Sequence, residues 1–272
     1  MSPAGVRLDQ LLTEQGLAPS RERARALILA GRVRVGGRRV EKAGTRISPA
    51  AHLDVMSDPN PYVSRGGLKM AAALSGFEIT PAGWVVLDVG ASTGGFTDCL
   101  LKKGARQVIA LDVGHGQLDW GLRQDPRVLV VERCNARELT PALLKTLLPG
   151  WDAPLDLAVV DVSFISLGLI LPALSRFAEL SRVVCLVKPQ FEAGRRQVGH
   201  GGIVRDPAIH AEVLLKVAHS AQAGGWQPRD LLPSPITGAG GNQEFLVDFH
   251  RGQGPIPAPF LAKVQSMDRE KA

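Results

Sequence analysis

From residue 84 onward, short runs of β-branched and apolar residues alternate with longer helical patterns, and this alternation restricts the possible folds. Seven strands are predicted, at 85–89, 108–111, 128–131, 157–160, 183–187, 226–232 and 244–249. Helical patterns lie between them, for example over 208–221. This order predicts an α/β fold with a doubly wound, mostly parallel sheet, in which ligands bind at the carboxyl ends of the strands.

The residues before this region predict a small separate α+β domain over 1–57. Two short helices are expected over 6–15 and 20–30, with Ser20 capping the second. A hairpin turning at Gly36-Gly37 and a last strand at 52–55 complete the domain. Two prolines at 59 and 61 indicate a stiff linker over 58–63, so a second domain is expected over 64–250 and a mobile tail over 251–272.

The small domain carries most of the positive charge. Residues 1–60 hold ten Arg or Lys against six Asp or Glu, whereas the whole chain has a net charge of +6. Clustered guanidinium groups match phosphate oxygens, which indicates a polyanion partner, although a solvated basic face with no partner stays possible. Alternation predicts that the hairpin arginines share one face. The candidate RNA-contacting residues are Arg7, Arg21, Arg23, Arg25, Arg32, Arg34, Arg38, Arg39 and, beyond the linker, Arg65.

A glycine-rich loop follows the first strand of the larger domain, in the sequence Asp88-Val-Gly-Ala-Ser-Thr-Gly-Gly-Phe96. Glycines allow a tight turn and close approach of a ligand to the next helix. Asp112 ends the second strand, where its carboxylate could accept two ribose hydroxyls, and Asn135 follows the third, where its amide could contact an adenine edge. Either side chain could instead only cap a turn.

Four charged residues fall where the same rim of the sheet is expected. Asp161 and Lys188 end the fourth and fifth strands, Lys69 lies in a helix before the first strand, and Glu244 starts the last strand. The loop 191–206, with Arg195 and Arg196, could close over a ligand or be a plain long loop.

Both domains resemble known families. The segment RLDQLLTEQGLAPSRERARALILAGRVRVGGRRV resembles the αL RNA-binding module of a small-subunit ribosomal protein, over roughly residues 6–55. The loop is similar to motif I of S-adenosylmethionine-dependent methyltransferases and departs from the dinucleotide pattern. With SRGGLK, DVSFISL, LVKPQFE and NQEF, the four charged residues resemble the tetrad of FtsJ-like ribose 2′-O-methyltransferases. The whole chain resembles the TlyA-type ribosomal RNA methyltransferases, also labelled haemolysin A.

The resemblance implies a Rossmann-like methyltransferase domain that methylates cytidine 2′-hydroxyls of ribosomal RNA or ribosomal subunits, with S-adenosyl-L-methionine as cofactor. It implies Lys188 as proton acceptor, helped by the neighbouring cation Lys69, with Asp161 orienting Lys188 and Glu244 holding Lys69 or the hydroxyl. It implies cofactor contacts from Asp88, Gly90, Ala91, Ser92, Thr93, Gly94, Gly95, Phe96, Asp112, Asn135 and Asp161.

Other classes of protein are less well supported. The six histidines show no metal-ligand spacing, so no metal is expected, and Cys99, Cys134 and Cys185 are expected to be buried thiols. The charge-free stretch 162–175 has 14 residues, whereas a bilayer-spanning helix needs about 20. A cytoplasmic enzyme that needs no oligomer is therefore expected. A catalytically silent RNA-binding assembly factor and a membrane-active haemolysin are the alternatives.

Overall fold

The computed structural model describes residues 5–29, 31–56, 60–194 and 197–269. The chain divides into two compact units between Pro61 and Tyr62, inside the range expected for the linker. Part of that linker, 57–59, lies outside the described residues, as do Arg195 and Arg196.

The N-terminal unit packs two helices against small sheets. Its helices are α1 (Leu8–Glu14) and α2 (Arg21–Leu29), and its strands are β1 (Val6–Arg7), β2 (Val33–Val35), β3 (Arg38–Arg39), β4 (Arg46–Ile47) and β5 (Leu53–Val55). The Ser20 hydroxyl accepts the Arg23 amide at 3.2 Å, which confirms the predicted cap. The prediction that the first helix begins at Val6 was wrong, because Val6 and Arg7 pair with β4 instead.

The hairpin arginines do not share one face. Strands β3, β2 and β5 form an antiparallel sheet in which Arg34 lies opposite Arg39, and Val35 lies opposite Arg38. Consecutive residues of a strand point to opposite faces, so Arg38 and Arg39 cannot both lie beside Arg34. The prediction that all of them share one face was therefore wrong for Arg38.

The larger unit is a seven-stranded sheet flanked by helices, as predicted. Its strands are β6 (Val85–Val89), β7 (Gln107–Leu111), β8 (Val128–Val131), β9 (Leu157–Val160), β10 (Arg182–Val187), β11 (Trp226–Pro233) and β12 (Phe245–Arg251). Its helices are α3 (Gly66–Gly76), α4 (Gly95–Lys102), α5 (Trp120–Gln124), α6 (Pro141–Leu147), α7 (Leu171–Leu174), α8 (Pro189–Glu192), α9 (Pro207–Ala223) and α10 (Ala258–Arg269).

The strand order is β11-β12-β10-β9-β6-β7-β8, and β12 runs antiparallel to both of its neighbours. Strand β6 shows why the sheet is covered on both sides. Val85, Leu87 and Val89 pack into one hydrophobic cluster, whereas Val86 packs into the other with α3 and α4. Such continuous apolar strands are typical of a parallel sheet with helices on each face. The carboxyl ends of β6, β7, β8, β9 and β10 consequently meet at one rim.

Residues 251–269, which were predicted to belong to a mobile tail, are not one. Most of them form α10, and Phe260 and Val264 are each 1% exposed within the core. Proline and glycine in the connection before α10 had suggested disorder, but two apolar residues one turn apart are enough to anchor a helix. Cys99, Cys134 and Cys185 are buried, as predicted. Among the described residues, the helices are all too short or too polar to cross a bilayer.

Candidate active site

Two catalytic candidates meet where β9 and β10 end. Lys188 follows β10, and its Nζ lies 2.6 Å from Asp161 Oδ1, at the end of β9. The Lys188 ammonium also donates to the Ser163 hydroxyl at 2.9 Å. The adjacent parallel strands β9 and β10 bring the two residues together. The sequence pattern predicted that both lie at this rim, and the resemblance implied that Asp161 orients Lys188. Lys69, the cation expected near Lys188, lines the same cavity and has its own carboxylate partner, Glu244.

The second pair joins residues 175 positions apart in the sequence. Lys69 lies in the second turn of α3, and its Nζ donates to Glu244 Oε2 at 2.5 Å. The two side chains are 10% and 3% exposed, so this ion pair is nearly dry. The Gly238 backbone packs directly against the Glu244 carboxylate, since a Cβ at position 238 would lie 2.0 Å from Glu244 Oε1. Glu244 therefore holds the second lysine, which was one of its two expected roles.

Three members of the tetrad line one cavity of about 220 Å³, which we call the lysine cavity. Lys69, Asp161 and Lys188 reach it, and Glu244 lies behind Lys69. Arg65 also lines it and donates to the Thr237 carbonyl at 2.9 Å. Two amines, their carboxylates and a guanidinium at one opening form a site suited to a phosphate-bearing substrate with a hydroxyl to be deprotonated.

The glycine-rich loop forms another wall of the lysine cavity. Gly90 has φ +85°, and a Cβ there would lie 2.5 Å from the Asp161 carbonyl oxygen, so glycine lets the ends of β6 and β9 touch. Gly94 has φ +93° and precedes α4. The Ser92 backbone is held at φ +48°, a conformation uncommon outside glycine, and its amide donates to Asp112 at 2.8 Å.

A second cavity of about 430 Å³, the Asp112 cavity, adjoins the first. The two share the walls formed by Gly90, Ser92, Asp161 and Ser163. Asp112 and Asn135 supply polar groups at its edge, and Phe164 and other apolar residues supply its walls. An apolar slot with a carboxylate and an amide at its rim fits a purine nucleoside.

Asp112 and Asn135 also cap turns, which was one of the two interpretations of their position. Asp112 accepts the Gly114 amide at 2.7 Å, and Asn135 accepts the Arg137 amide at 3.2 Å. A carboxylate has about four acceptor positions, so the backbone bonds leave Asp112 capacity for ribose hydroxyls.

Comparison with known proteins agrees with this geometry. Residues 62–251 match the family of FtsJ-like methyltransferases. The chain belongs to that family. Residues 6–53 match the S4 domain, so an S4 domain precedes the FtsJ-like domain. The protein is thus an S-adenosylmethionine-dependent methyltransferase with an RNA-binding module.

Relatives share this two-domain arrangement over most of their length. The chain is 48% identical to the 16S/23S rRNA (cytidine-2′-O)-methyltransferase TlyA of Mycobacterium tuberculosis, covering 89% of this chain and 88% of that protein. It is 40% identical to Hemolysin A of Brachyspira hyodysenteriae, over 90% and 99% of the two chains. A solved structure of a hemolysin-type protein from Streptococcus thermophilus is 40% identical, with a TM-score of 0.71 and 98% of each chain covered.

The FtsJ-like domain places some predicted cofactor residues behind the cavity wall. Asp88 is fully buried, and its carboxylate accepts the Thr97 hydroxyl at 2.6 Å, in the first turns of α4. Thr97 follows the loop, so Asp88 acts on the cavity by fixing the loop against α4. Gly94 is needed for close packing of the loop, because a Cβ at this position would lie 2.3 Å from the Leu122 side chain. The remaining loop residues, Gly90, Ala91, Ser92, Thr93, Gly95 and Phe96, line the lysine cavity.

Asp88 leads to a testable pH dependence of stability. Burial raises the pKa of this carboxyl from 3.8 to about 7, with a smaller contribution from the Asp161 charge. The folded state therefore holds a proton that the unfolded state releases near pH 4. The stabilisation is fully present below about pH 4 and is lost as pH rises to about 7, by about 1.4 kcal/mol per pH unit. Asp88→Asn is expected to remove this slope. Urea unfolding from pH 5 to 8 checks it, and parallel curves for the two proteins would contradict it.

The S4 domain gathers three of its predicted RNA-contacting arginines around a buried carboxylate. Asp9 is 0% exposed and contacts Arg7 at 2.9 Å, Arg25 at 3.0 Å and Arg21 at 3.5 Å. The guanidinium of Arg7 holds the pKa of Asp9 well below its usual range. Arg23 is exposed on the same helix as Arg21 and Arg25. The three paired arginines remain about half exposed, so Asp9 orients them without hiding them.

Sequence reasoning missed three residues at the rim. Ser163 contacts Lys188 and lines both cavities. Phe164 is 90% exposed, has φ +65°, and contacts Phe191 with ring centroids 4.8 Å apart and ring planes tilted by 48°. All three lie in the motifs DVSFISL and LVKPQFE. The sequence signal that could have revealed Phe164 is its position just after the end of a strand, at the rim where ligands bind.

Proposed function

We propose that this methyltransferase modifies the 2′-hydroxyl of cytidine in ribosomal RNA, and that the tetrad Lys69, Asp161, Lys188 and Glu244 forms its catalytic centre. The observation that carries this proposal is the position of two lysine–carboxylate pairs, at 2.5 and 2.6 Å, beside a cavity that adjoins a nucleoside-shaped one. The Mycobacterium tuberculosis relative is named as an rRNA (cytidine-2′-O)-methyltransferase, which supports this proposal.

The Asp112 cavity is suited to the adenosine of the cofactor. Its apolar walls fit the purine ring, Asn135 would bond the ring edge, and Asp112 would accept the ribose hydroxyls. The amino-acid end would then reach the glycine-rich loop that both cavities share. When bound, S-adenosylmethionine supplies an electrophilic methyl group, so the chain must add placement of the hydroxyl and removal of its proton.

Lys188 is the residue placed to accept that proton. Asp161 and Ser163 fix its amine from two sides, at the junction of the two cavities. The amine accepts a proton only in its neutral form, so it must first release its own proton to solvent. The Lys69–Glu244 pair would hold the hydroxyl and the adjacent phosphate, together with Arg65.

The S4 domain would bring the substrate to this centre. The arginines around Asp9 and those of the hairpin offer guanidinium groups for the phosphate backbone of structured RNA. The substrate is then ribosomal RNA or a ribosomal subunit, and a cytoplasmic location follows from where these are found. Mass mapping of ribosomal RNA from cells with and without this protein tests the proposal. A 2′-O-methylcytidine that disappears with the protein is expected, and unchanged RNA would contradict it.

Asp112→Ala is expected to weaken cofactor binding. The substitution removes charge-assisted bonds worth about 1.5–3 kcal/mol, and it also releases the Ser92 and Gly114 amides. The dissociation constant for S-adenosylhomocysteine, measured by calorimetry, should rise about 10- to 100-fold. The dissociation constant of Asp112→Asn should lie between those of the wild type and Asp112→Ala, since asparagine keeps one acceptor oxygen. Asp152→Ala, at an exposed aspartate, is the matched control. Unchanged affinity in Asp112→Ala would contradict the assignment of the Asp112 cavity.

Phe164→Ala is expected to impair the use of RNA. The Phe164 ring is exposed, contacts Phe191 and lies at the edge of the Asp112 cavity, so it can stack on the unpaired target base, a contact worth about 1–3 kcal/mol. We expect kcat/KM for RNA to fall about 10- to 100-fold, while Phe164→Tyr keeps most of it because the ring remains. Steady-state methylation rates check this. Equal loss in the alanine and tyrosine variants would exclude a stacking role.

A further inference from the structure

The loop that follows β9 and the segment that follows β10 are joined at three successive levels. Asp161 and Ser163 contact Lys188 at the first level. Phe164 contacts Phe191 in a tilted ring–ring arrangement at the second. At the third, the Glu192 carboxylate accepts the Ser166 hydroxyl at 2.6 Å and the Leu167 amide at 2.7 Å.

The third level is unusual because its carboxylate, that of Glu192, is buried. Glu192 is 4% exposed, and burial raises its pKa. An apolar residue would cost less to bury, but it could not accept both hydrogen bonds. The backbone of Glu192 is also held, since Lys216 of α9 donates to its carbonyl oxygen at 2.5 Å. Glu192 is therefore a fixed point to which the other segment is attached.

We propose that Glu192 is a positioning residue, which holds the 161–167 loop against the Lys188 segment so that Asp161 and Ser163 face the lysine cavity and Phe164 lines the Asp112 cavity. This inference rests on the function proposed above. Glu192 reaches no reacting atom in it. It lies at the end of the short helix α8 that begins directly after Lys188, so it fixes the loop relative to the proton acceptor.

Substitutions at Glu192 separate positioning from general support of the fold. Glu192→Ala should lower kcat about 10- to 100-fold, because displacement by about 1 Å at a catalytic group has effects of that size. The KM for RNA should change less than about twofold. Glu192→Gln should restore most of the rate, because its oxygen can accept the Leu167 amide while its NH₂ donates to the Ser166 hydroxyl. Glu179→Ala, at an exposed glutamate, is the matched control.

Two further measurements keep the test decisive. In a double-mutant cycle, adding Glu192→Ala to Asp161→Asn should slow the enzyme by a smaller factor than Glu192→Ala slows the wild type, because part of the effect of Glu192 acts through Asp161. Hydrogen exchange of the Leu167 amide should be faster in Glu192→Ala than in the wild type and near normal in Glu192→Gln, a result independent of activity. If Glu192→Ala does not fold, Ser166→Ala removes one of the two bonds and should lower kcat in the same direction.

The positioning role would be overturned if the effects of Asp161→Asn and Glu192→Ala simply multiplied. It would also be overturned if Glu192→Gln were as slow as Glu192→Ala, or if Glu192→Ala left kcat unchanged. A wild-type protein that methylates no RNA, but shows the expected exchange pattern, would instead overturn the proposed function while leaving the attachment of the loop to Glu192 standing.

Discussion

Lys188→Ala is expected to lower kcat for RNA methylation by about 10²- to 10⁴-fold, which is the usual contribution of a positioned proton acceptor. A ribose hydroxyl is a weak nucleophile at neutral pH, and Lys188 is the amine held at the junction of the two cavities by Asp161 and Ser163. Dissociation constants for S-adenosylhomocysteine and for RNA should stay within a few-fold, since most of their expected contacts lie elsewhere. Single-turnover rates measure the chemical step directly.

Lys188→Arg distinguishes proton acceptance from simple charge. Arginine keeps a cation beside Asp161, but it does not lose its proton in proteins and so cannot act as a base. We expect this variant to be as inactive as Lys188→Ala, whereas Lys145→Ala, at an exposed lysine of α6, should be fully active. An active arginine variant would show that the charge alone matters.

Glu244→Ala is expected to lower the free energy of unfolding of the FtsJ-like domain by about 3 kcal/mol, because it leaves the Lys69 ammonium without its counter-ion in a nearly dry position. Removing one partner of a buried pair typically costs about 3–5 kcal/mol, and the lower end applies because Lys69 reaches the cavity. Urea unfolding at unchanged m-value measures the loss.

The double variant Lys69→Met with Glu244→Leu separates stability from activity. Apolar side chains of similar size replace the ion pair, so most of the lost stability should return. Methylation should not return, because the Lys69 amine that faces the lysine cavity is gone. Glu212→Ala, at an exposed glutamate of α9, controls for the loss of one carboxylate. A Glu244→Ala protein as stable as the wild type would contradict a tightly coupled buried pair.

The sequence predicted the large domain well because strand and helix periodicity dominate there. Each of its seven strands was placed within about two residues, and Asp161 and Lys188 were both placed at the rim formed by the carboxyl ends of the strands. The contact between these two residues was implied by the resemblance. The pairing of Lys69 with Glu244 could not be derived from periodicity, because it depends on how α3 packs near the start of β12. Resemblance supplied it.

Features that depend on a single tertiary contact were missed. Val6 and Arg7 continue a helical pattern, yet pairing with β4 makes them a strand. Helix α10 has a weak hydrophobic pattern. It is anchored by two of its own residues, Phe260 and Val264, where it packs against α9 and β11. Glu192 looks like an ordinary surface glutamate in the sequence. Its role becomes visible only when Ser166 and Leu167 are brought to it in space.

The most direct test of the central claim uses purified protein with S-adenosylmethionine and ribosomal subunits lacking the modification, followed by nuclease digestion and mass spectrometry of the nucleosides. Two convergent lysine–carboxylate pairs beside a nucleoside cavity lead us to expect 2′-O-methylcytidine with the wild-type protein and none with Lys188→Ala. A methyl group on a base atom, or 2′-O-methylcytidine formed equally by the Lys188→Ala protein, would contradict the assignment.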